Sequence, residues 1–233
     1  MDYTVSCRDI SELNPLVQVM YNAAIKEIKA SGVNPLVTET YRPLNRQYYL
    51  YCHGRSASVA RAAGVPAAIA NKYCPKLQKE SKITWTLNSY HIQRKAIDII
   101  PQRKIKGKMT AIWNVNDVDT QKIISIMTKY GFEAGANWQS NPDSPHYQVK
   151  ADYNKVFDKS HNTTYVTKTI QRTLNKIKKD DKTPLLKTKL KVDGKWGDNT
   201  TKAVNEFRKF KKYSNTTNGV LGATALKALL KYV

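Results

Sequence analysis

The chain has 233 residues, 41% of them hydrophobic, which suits a packed core, leaves room for a catalytic-size domain plus a small module, and excludes a wholly disordered chain. Lys and Arg outnumber Asp and Glu by 39 to 18, for a net charge of +21; the excess is +9 through residue 160 and +12 in the last 73 residues. A balance this basic predicts an anionic polymer as partner, and nucleic acid, teichoic acid and an anionic membrane all qualify on charge alone.

In chain order, Asn14 and Pro15 read as a helix cap and first helical residue. Val17, Met20, Tyr21, Ala24 and Ile28 recur at helical spacing until Ser31-Gly32. The run from Leu36 to Tyr41 is strand-like and ends at Arg42-Pro43. A second helix is predicted over about residues 45–55, whereas the Ala-rich, then Lys-rich stretch 56–82 predicts helix and loop without firm bounds. Ile97 to Ile100 has strand character and is predicted to stop at Pro101. Residues 119–130 have helical periodicity, with Gly131 as terminator. Strands scattered among helices without a βαβ rhythm predict an α+β domain.

The polar stretch from Asp158 to Thr164 reads as a linker, with His161 solvated within it. Beyond it, Ile170, Leu174 and Ile177 share a helical face, as do Ala203, Val204, Phe207 and Phe210, and again Leu226, Leu229 and Leu230. Two similar turns separate them, Asp193-Gly-Lys-Trp-Gly197 and Asn218-Gly-Val-Leu-Gly222, each followed by a threonine, Thr200 or Thr224. This weak repeat predicts a three-helix module in which Trp196 plugs the core. The expected organisation is a catalytic domain over 1–158, a linker over 159–164 and a module over 165–233. Lys178-Lys179 and Lys211-Lys212 are expected on solvated faces.

Chemistry concentrates in two segments, Ser89 to Asp98 and Asp143 to His146. His91, Asp98 and His146 supply two imidazoles and one carboxylate, a three-ligand zinc set with a fourth position open for water. A closed structural site would recruit thiolates, and no cysteine lies near these segments. Asp143, three residues before His146, is the candidate base for that water. Arg42 is the candidate for charge on a developing oxyanion. Ser89 lacks a nucleophile-elbow context and is expected to hydrogen-bond within the site. Trp138 and Tyr147 fit either a substrate cleft or the core, and His53 fits a helix end. Cys7, Cys52 and Cys74 form no C-x-x-C pattern and predict free thiols made in a reducing compartment. No basic n-region with an apolar run opens the chain, and no stretch reaches about 20 apolar residues. The expectation is a soluble product that begins life in a cytoplasm without a signal peptide.

These segments resemble the zinc peptidases that include D-alanyl-D-alanine carboxypeptidases and the L-alanyl-D-glutamate endopeptidases of phage endolysins. The family signature S-x-H-x-x-G-x-A-x-D is matched by Ser89, His91, Ala96 and Asp98, and its acid-x-x-His element by Asp143 and His146, followed by Tyr147-Gln148. Thr40-Tyr-Arg-Pro43 and the run from Gln47 to Arg55 are similar to the family's arginine-bearing segment and following helix. The resemblance implies a hedgehog/DD-peptidase-like domain with a small antiparallel sheet flanked by helices. It implies one Zn2+ on His91, Asp98 and His146, Asp143 as general base and Arg42 on the carbonyl or oxyanion; beside these, Ser89, Trp138 and Tyr147 are the candidate substrate-binding residues. Two departures stand out: Arg94 replaces the signature's glycine, and residues 56–82 exceed the family's usual connection.

The tail, about 165–233, resembles a peptidoglycan-binding domain through Val192 to Gly197, Ala203 to Phe207 and Asn218 to Gly222. Together the halves imply a monomeric phage-type endolysin that cuts the L-alanyl-D-glutamate bond of a Gram-positive wall after release from the host cytoplasm. Its expected partners are peptidoglycan and anionic wall polymers, not nucleic acid. The alternatives are a D-alanyl-D-alanine carboxypeptidase and a non-catalytic basic wall-binding or nucleic-acid-binding protein. A membrane-disrupting tail fits poorly, because the helices carry core-facing periodicity.

Overall fold

A computed structural model describes residues 3–150, 157–160, 162, 164–214 and 217–232. His161, expected in the linker, lies outside them. The architecture is α+β: a small sheet containing antiparallel pairs, flanked by helices. The chain divides into two compact units, Met1–Leu13 with Val37–Ile99, and Asn14–Leu36 with Ile100–Val233; of the three division points, 36/37 and 99/100 fall inside strands and 13/14 falls just before the first α-helix.

The sheet contains β1 (Pro35–Glu39), β2 (Ala96–Ile105), β3 (Lys108–Ala111), β4 (Glu133–Ala134) and β5 (His146–Gln148), in the order β1-β2-β5-β4 with β3 also on β2. β2 runs on past Pro101, where the sequence predicted a stop. Its outer half forms a hairpin with β3 that begins at Gln102↔Ala111 and closes at Ile105↔Lys108. Lys106 and Gly107 make the two-residue loop with φ of 49° and 81°, the primed geometry that matches strand twist. Pro101 stands where that ladder ends: its carbonyl takes the Ile112 N–H at 2.9 Å, and with no N–H of its own it returns no bond, so the pairing with β3 starts one residue later at Gln102.

In the first unit, α2 (Leu44–Tyr51) is the predicted second helix, ending earlier than expected, and α3 (Ala57–Ala62) and α4 (Ala67–Leu77) resolve the stretch 56–82 that periodicity left open. Small residues explain both facts. Cys52, Ala60, Ala70 and Cys74 are fully buried, and they let the helices close together without the long apolar side chains that make a helical face readable. His53 follows α2 and is buried, with Nδ1 2.8 Å from Glu80 Oε2, the helix-end role expected of it.

In the second unit, Asn14 caps α1 (Pro15–Ala30) by accepting the Leu16 N–H at 3.0 Å, with Pro15 at the first position as predicted. Leu16, Val17, Val19, Met20, Ala24 and Ile28 are fully buried, more than one stripe of the helix. That breadth follows from α1's neighbours: α5 (Val118–Lys129), α6 (Thr164–Lys176) and α8 (Ala223–Leu229) all pack on it. With α7 (Asp198–Phe210), α6 and α8 give the three predicted helices of the tail. Trp196 is buried against Phe157, ring centres 5.3 Å apart, so it is the core plug expected. Phe157 precedes the expected linker yet pairs with Leu221 in both directions, at 3.0 and 2.9 Å. The C-terminal core therefore recruits chain from before residue 158.

The repeated turns share one device. Gln171 of α6 accepts the Gly194 N–H at 3.0 Å and donates to Asp193 and Lys195, while Asn205 of α7 accepts the Gly219 N–H at 2.8 Å and donates to Thr217. Each turn is thus clipped by one amide side chain from the preceding helix. No described helix is long and apolar enough to cross a membrane.

Candidate metal centre

Asp98 lies on β2 and His146 opens β5, and these strands are neighbours in the sheet. That adjacency brings together two residues 48 positions apart in the sequence. His91 reaches them from the turn before β2. One ligand atom from each of His91, Asp98 and His146 lies within 4.8 Å of the others, and this is the only such cluster among the described residues. His91 Nε2 is 3.1 Å from Asp98 Oδ1. A tetrahedral zinc with bonds near 2.1 Å holds its donors about 3.4 Å apart, so the set fits one ion with small side-chain adjustment.

The ring orientations support the fit. His91 Nδ1 lies 2.6 Å from the Thr40 carbonyl, which can only accept, so Nδ1 carries the proton and Nε2 keeps its lone pair. Thr40 is itself fastened at the end of β1: its N–H donates to the Cys7 carbonyl at 2.8 Å and its hydroxyl to the Asp9 carbonyl at 2.9 Å. On the other histidine, Nε2 is 3.1 Å from Gln148 Oε1. The Gln148 amide nitrogen faces the Glu133 carboxylate at 3.5 Å, which turns its oxygen towards His146, so Nε2 of His146 carries the proton and Nδ1 keeps its lone pair. Glu133 also accepts from Trp138 Nε1 at 2.6 Å and pairs with Lys150 at 2.8 Å. Burial pushes the Glu133 pKa up, but the hydrogen bonds from Lys150 and Trp138 outweigh it and hold the group ionised below its ordinary range.

Arg42 follows β1, with Nη2 3.8 Å from Asp98 Oδ2. Its guanidinium is largely committed: Nε donates to Glu39 at 3.0 Å, Nη1 to Gln47 at 2.9 Å, and Nη2 to Glu39. Arg46 shares that carboxylate at 2.6 Å, so two cations surround one buried Glu39 beside Asp98. Sequence reading missed Glu39 and Gln47, because a lone acid in a strand and an amide in a helix carry no motif.

Asp143 is exposed in the loop before β5 and stands outside the ligand cluster. Its backbone N–H donates to the Gly135 carbonyl at 3.0 Å, and its carbonyl accepts the His146 N–H at 3.2 Å. Gly135 is a third residue that sequence reading missed. A β-carbon there would stand 2.5 Å from the Asp143 carbonyl oxygen and 3.2 Å from the His146 β-carbon. The loop carrying both residues is therefore seated directly on a glycine backbone.

Ser89 is buried, and its hydroxyl takes the His91 N–H at 3.3 Å, so it shapes the ligand turn. Trp138 is half-buried, its ring 5.2 Å from that of His146. Tyr147 alternates with His146 along β5 and is fully buried, which places it in the core beneath the strand and not on an open cleft. Arg94 explains the departure from the signature: its φ is 60°, the left-handed conformation a glycine adopts freely. The turn is kept, and the side chain is anchored by an ion pair with Glu12, a 2.7 Å bond to the Glu12 carbonyl and stacking 3.8 Å over Tyr41.

Residues 82–149, which include all three candidate ligands and Asp143, match the family described as D-alanyl-D-alanine carboxypeptidase. No curated protein matches the chain. Among solved structures, the chain is similar to the L-Ala D-Glu endopeptidase ChiX of Serratia marcescens, at 18% identity and a TM-score of 0.39, over 60% of this chain and 83% of that one.

Proposed function

We propose that the chain is a zinc-dependent peptidase of bacterial peptidoglycan, and that it acts as a phage-type endolysin on the L-alanyl-D-glutamate bond of the stem peptide in a Gram-positive wall. The convergence of His91, Asp98 and His146 carries this reading. A zinc ion held there would lower the pKa of a water and polarise the scissile carbonyl. The chain's own groups do the rest. Thr40 and Gln148 fix the two imidazoles in the tautomers that ligation needs. The Asp143 carboxylate takes the proton of the attacking water and passes it to the leaving amine. Arg42, neutralised by Glu39 at rest, turns an N–H towards the oxyanion. Trp138 offers an aromatic wall beside His146. The stretch 165–233, with much of the positive charge, holds the monomer on peptidoglycan and raises the effective concentration of an insoluble substrate. Synthesis in the host cytoplasm and release to the wall complete the reading.

The test is digestion of purified peptidoglycan with and without chelator, followed by sequencing of the released peptides. New L-alanine C-termini and D-glutamate N-termini, lost with chelator and with Asp143→Ala, support the proposal. The family matched by residues 82–149 favours a second reading, D-alanyl-D-alanine carboxypeptidase, under which terminal D-alanine is released and walls are not lysed. Chelator-insensitive wall binding with no product would overturn both.

A further inference from the structure

We propose that a cavity in the C-terminal stretch is a binding site for a linear polyol-phosphate polymer. The cavity has a volume of about 700 Å3 and lies between residues 185–191 and one face of α7. Lys179, Lys187, Lys189, Lys191 and Lys202 line it, and Glu206 is the only acid among the lining residues. All five lysines are exposed, and none is in an ion pair among the described residues. Glu206 already accepts from Lys209 at 3.1 Å. Two nearby acids are also engaged, Asp181 with the Thr183 hydroxyl at 2.5 Å and Asp193 with Gln171 at 3.1 Å. Asp181 and Asp193 keep their charges and act on Lys179 and Lys191 through space, so the five lysines, with Glu206 the one acid in the lining, are answered only in part from within the protein.

The wall that carries three of these lysines is held in place. Asn175 of α6 accepts the Leu190 N–H at 2.7 Å and donates to the Leu190 carbonyl at 2.9 Å, as a neighbouring strand would. Leu185 is buried and bonds Ile177 at 2.9 Å. Lysines on a pinned segment around a concave surface concentrate potential more than the same charges spread over a convex face.

The lining chemistry selects among polyanions. Every cation is a lysine, a point charge suited to phosphate, and no arginine fork is present to grip planar carboxylates. No aromatic side chain lines the cavity, so bases would find no stacking platform, which disfavours single-stranded nucleic acid. Leu186, Leu190 and Ala203 offer aliphatic surface to the carbon backbone of a polyol. The inference does not depend on the hydrolytic reading, because a soluble polymer can be bound with or without catalysis.

The experiment is titration of the full chain with fluorescent poly(glycerol phosphate) of defined length, at several salt concentrations. The triple variant Lys187→Gln, Lys189→Gln, Lys191→Gln should bind about tenfold more weakly or worse, with a shallower dependence of log K on log salt. A control triple on α4 and the turn after it, Lys72→Gln, Lys76→Gln, Lys79→Gln, should bind as the parent does. An unchanged unfolding midpoint shows that the first triple is folded; if it is not, the single variant Lys202→Gln on the opposite wall must show the weakening. Parent-like binding by the folded variants overturns the proposal. So does tighter binding of a single-stranded oligonucleotide or of polyglutamate of equal charge, since either would assign the cavity to another polymer.

Discussion

At the residue scale, the centre depends on groups that never touch a metal. Gln148 holds His146 in the ligating tautomer only because Glu133 turns its amide. Gln148→Leu should weaken zinc binding by about 10- to 100-fold with little change in fold, measured by competition with a chromogenic chelator. Gly135→Ala puts a methyl 2.5 Å from the Asp143 carbonyl oxygen, where backbone must yield. It should remove most wall hydrolysis and destabilise by about 1–3 kcal/mol, read from chemical denaturation. Arg94→Gly is a subtler case. Glycine holds φ 60° without a β-carbon penalty, which recovers about 1 kcal/mol of backbone strain. The half-exposed Glu12 pair and the Tyr41 stacking together supply a comparable amount. The expected net change is within about 1 kcal/mol, with zinc affinity retained. The three candidate ligands that the fold brings together were legible in the sequence because their spacing is itself the chemical signal. Glu39, Gly135 and Glu133 were not, because each acts through a neighbour that only the fold supplies.

At the element scale, the readable helices were those whose long apolar residues recur on one face, α1 and α5 above all. α3 and α4 were obscured because their contact is made by alanines and cysteines, whose burial leaves no strong periodic signal. The Lys106-Gly107 hairpin was missed, and β2 was cut short, because Pro101 was read as a strand end, whereas it marks only where the ladder to β3 ends while β2 itself continues through it. Within the small-residue core, burial first and a hydrogen bond with Cys74 second push the Cys52 thiol up to about 12. Under native conditions at pH 8, iodoacetamide should therefore leave Cys52 unmodified while the unfolded chain reacts, as peptide mapping would show. α1 is tied to the end of α5 through Glu27, which accepts from Lys129 at 2.5 Å and Tyr130 at 2.8 Å. The Lys129 hydrogen bond outweighs burial and depresses the Glu27 pKa. Its contribution is present above the ordinary glutamate range and is lost as pH falls through the lower folded value. Glu27→Gln should accordingly reduce stability by about 0.2–1 kcal/mol at pH 7, with the difference vanishing in acid.

At the scale of the whole molecule, two properties of different origin meet in one chain. Side chains distant in sequence are brought to one point by the adjacency of β2 and β5, and a strongly basic surface is concentrated in the last third. The charge was plain from composition, but composition could not say that five lysines would border a cavity. The packing of α6 and α8 on α1 was equally hidden, since the sequence showed apolar faces without their partners. The central claim is that His91, Asp98 and His146 bind a divalent ion, and the most direct measurement is anomalous diffraction at the zinc edge from crystals grown with equimolar zinc. The account predicts one strong peak per chain, bonded to those three side chains with a fourth position not taken by protein. A map with no peak there, or with zinc held by other residues while these three stand apart, would contradict it.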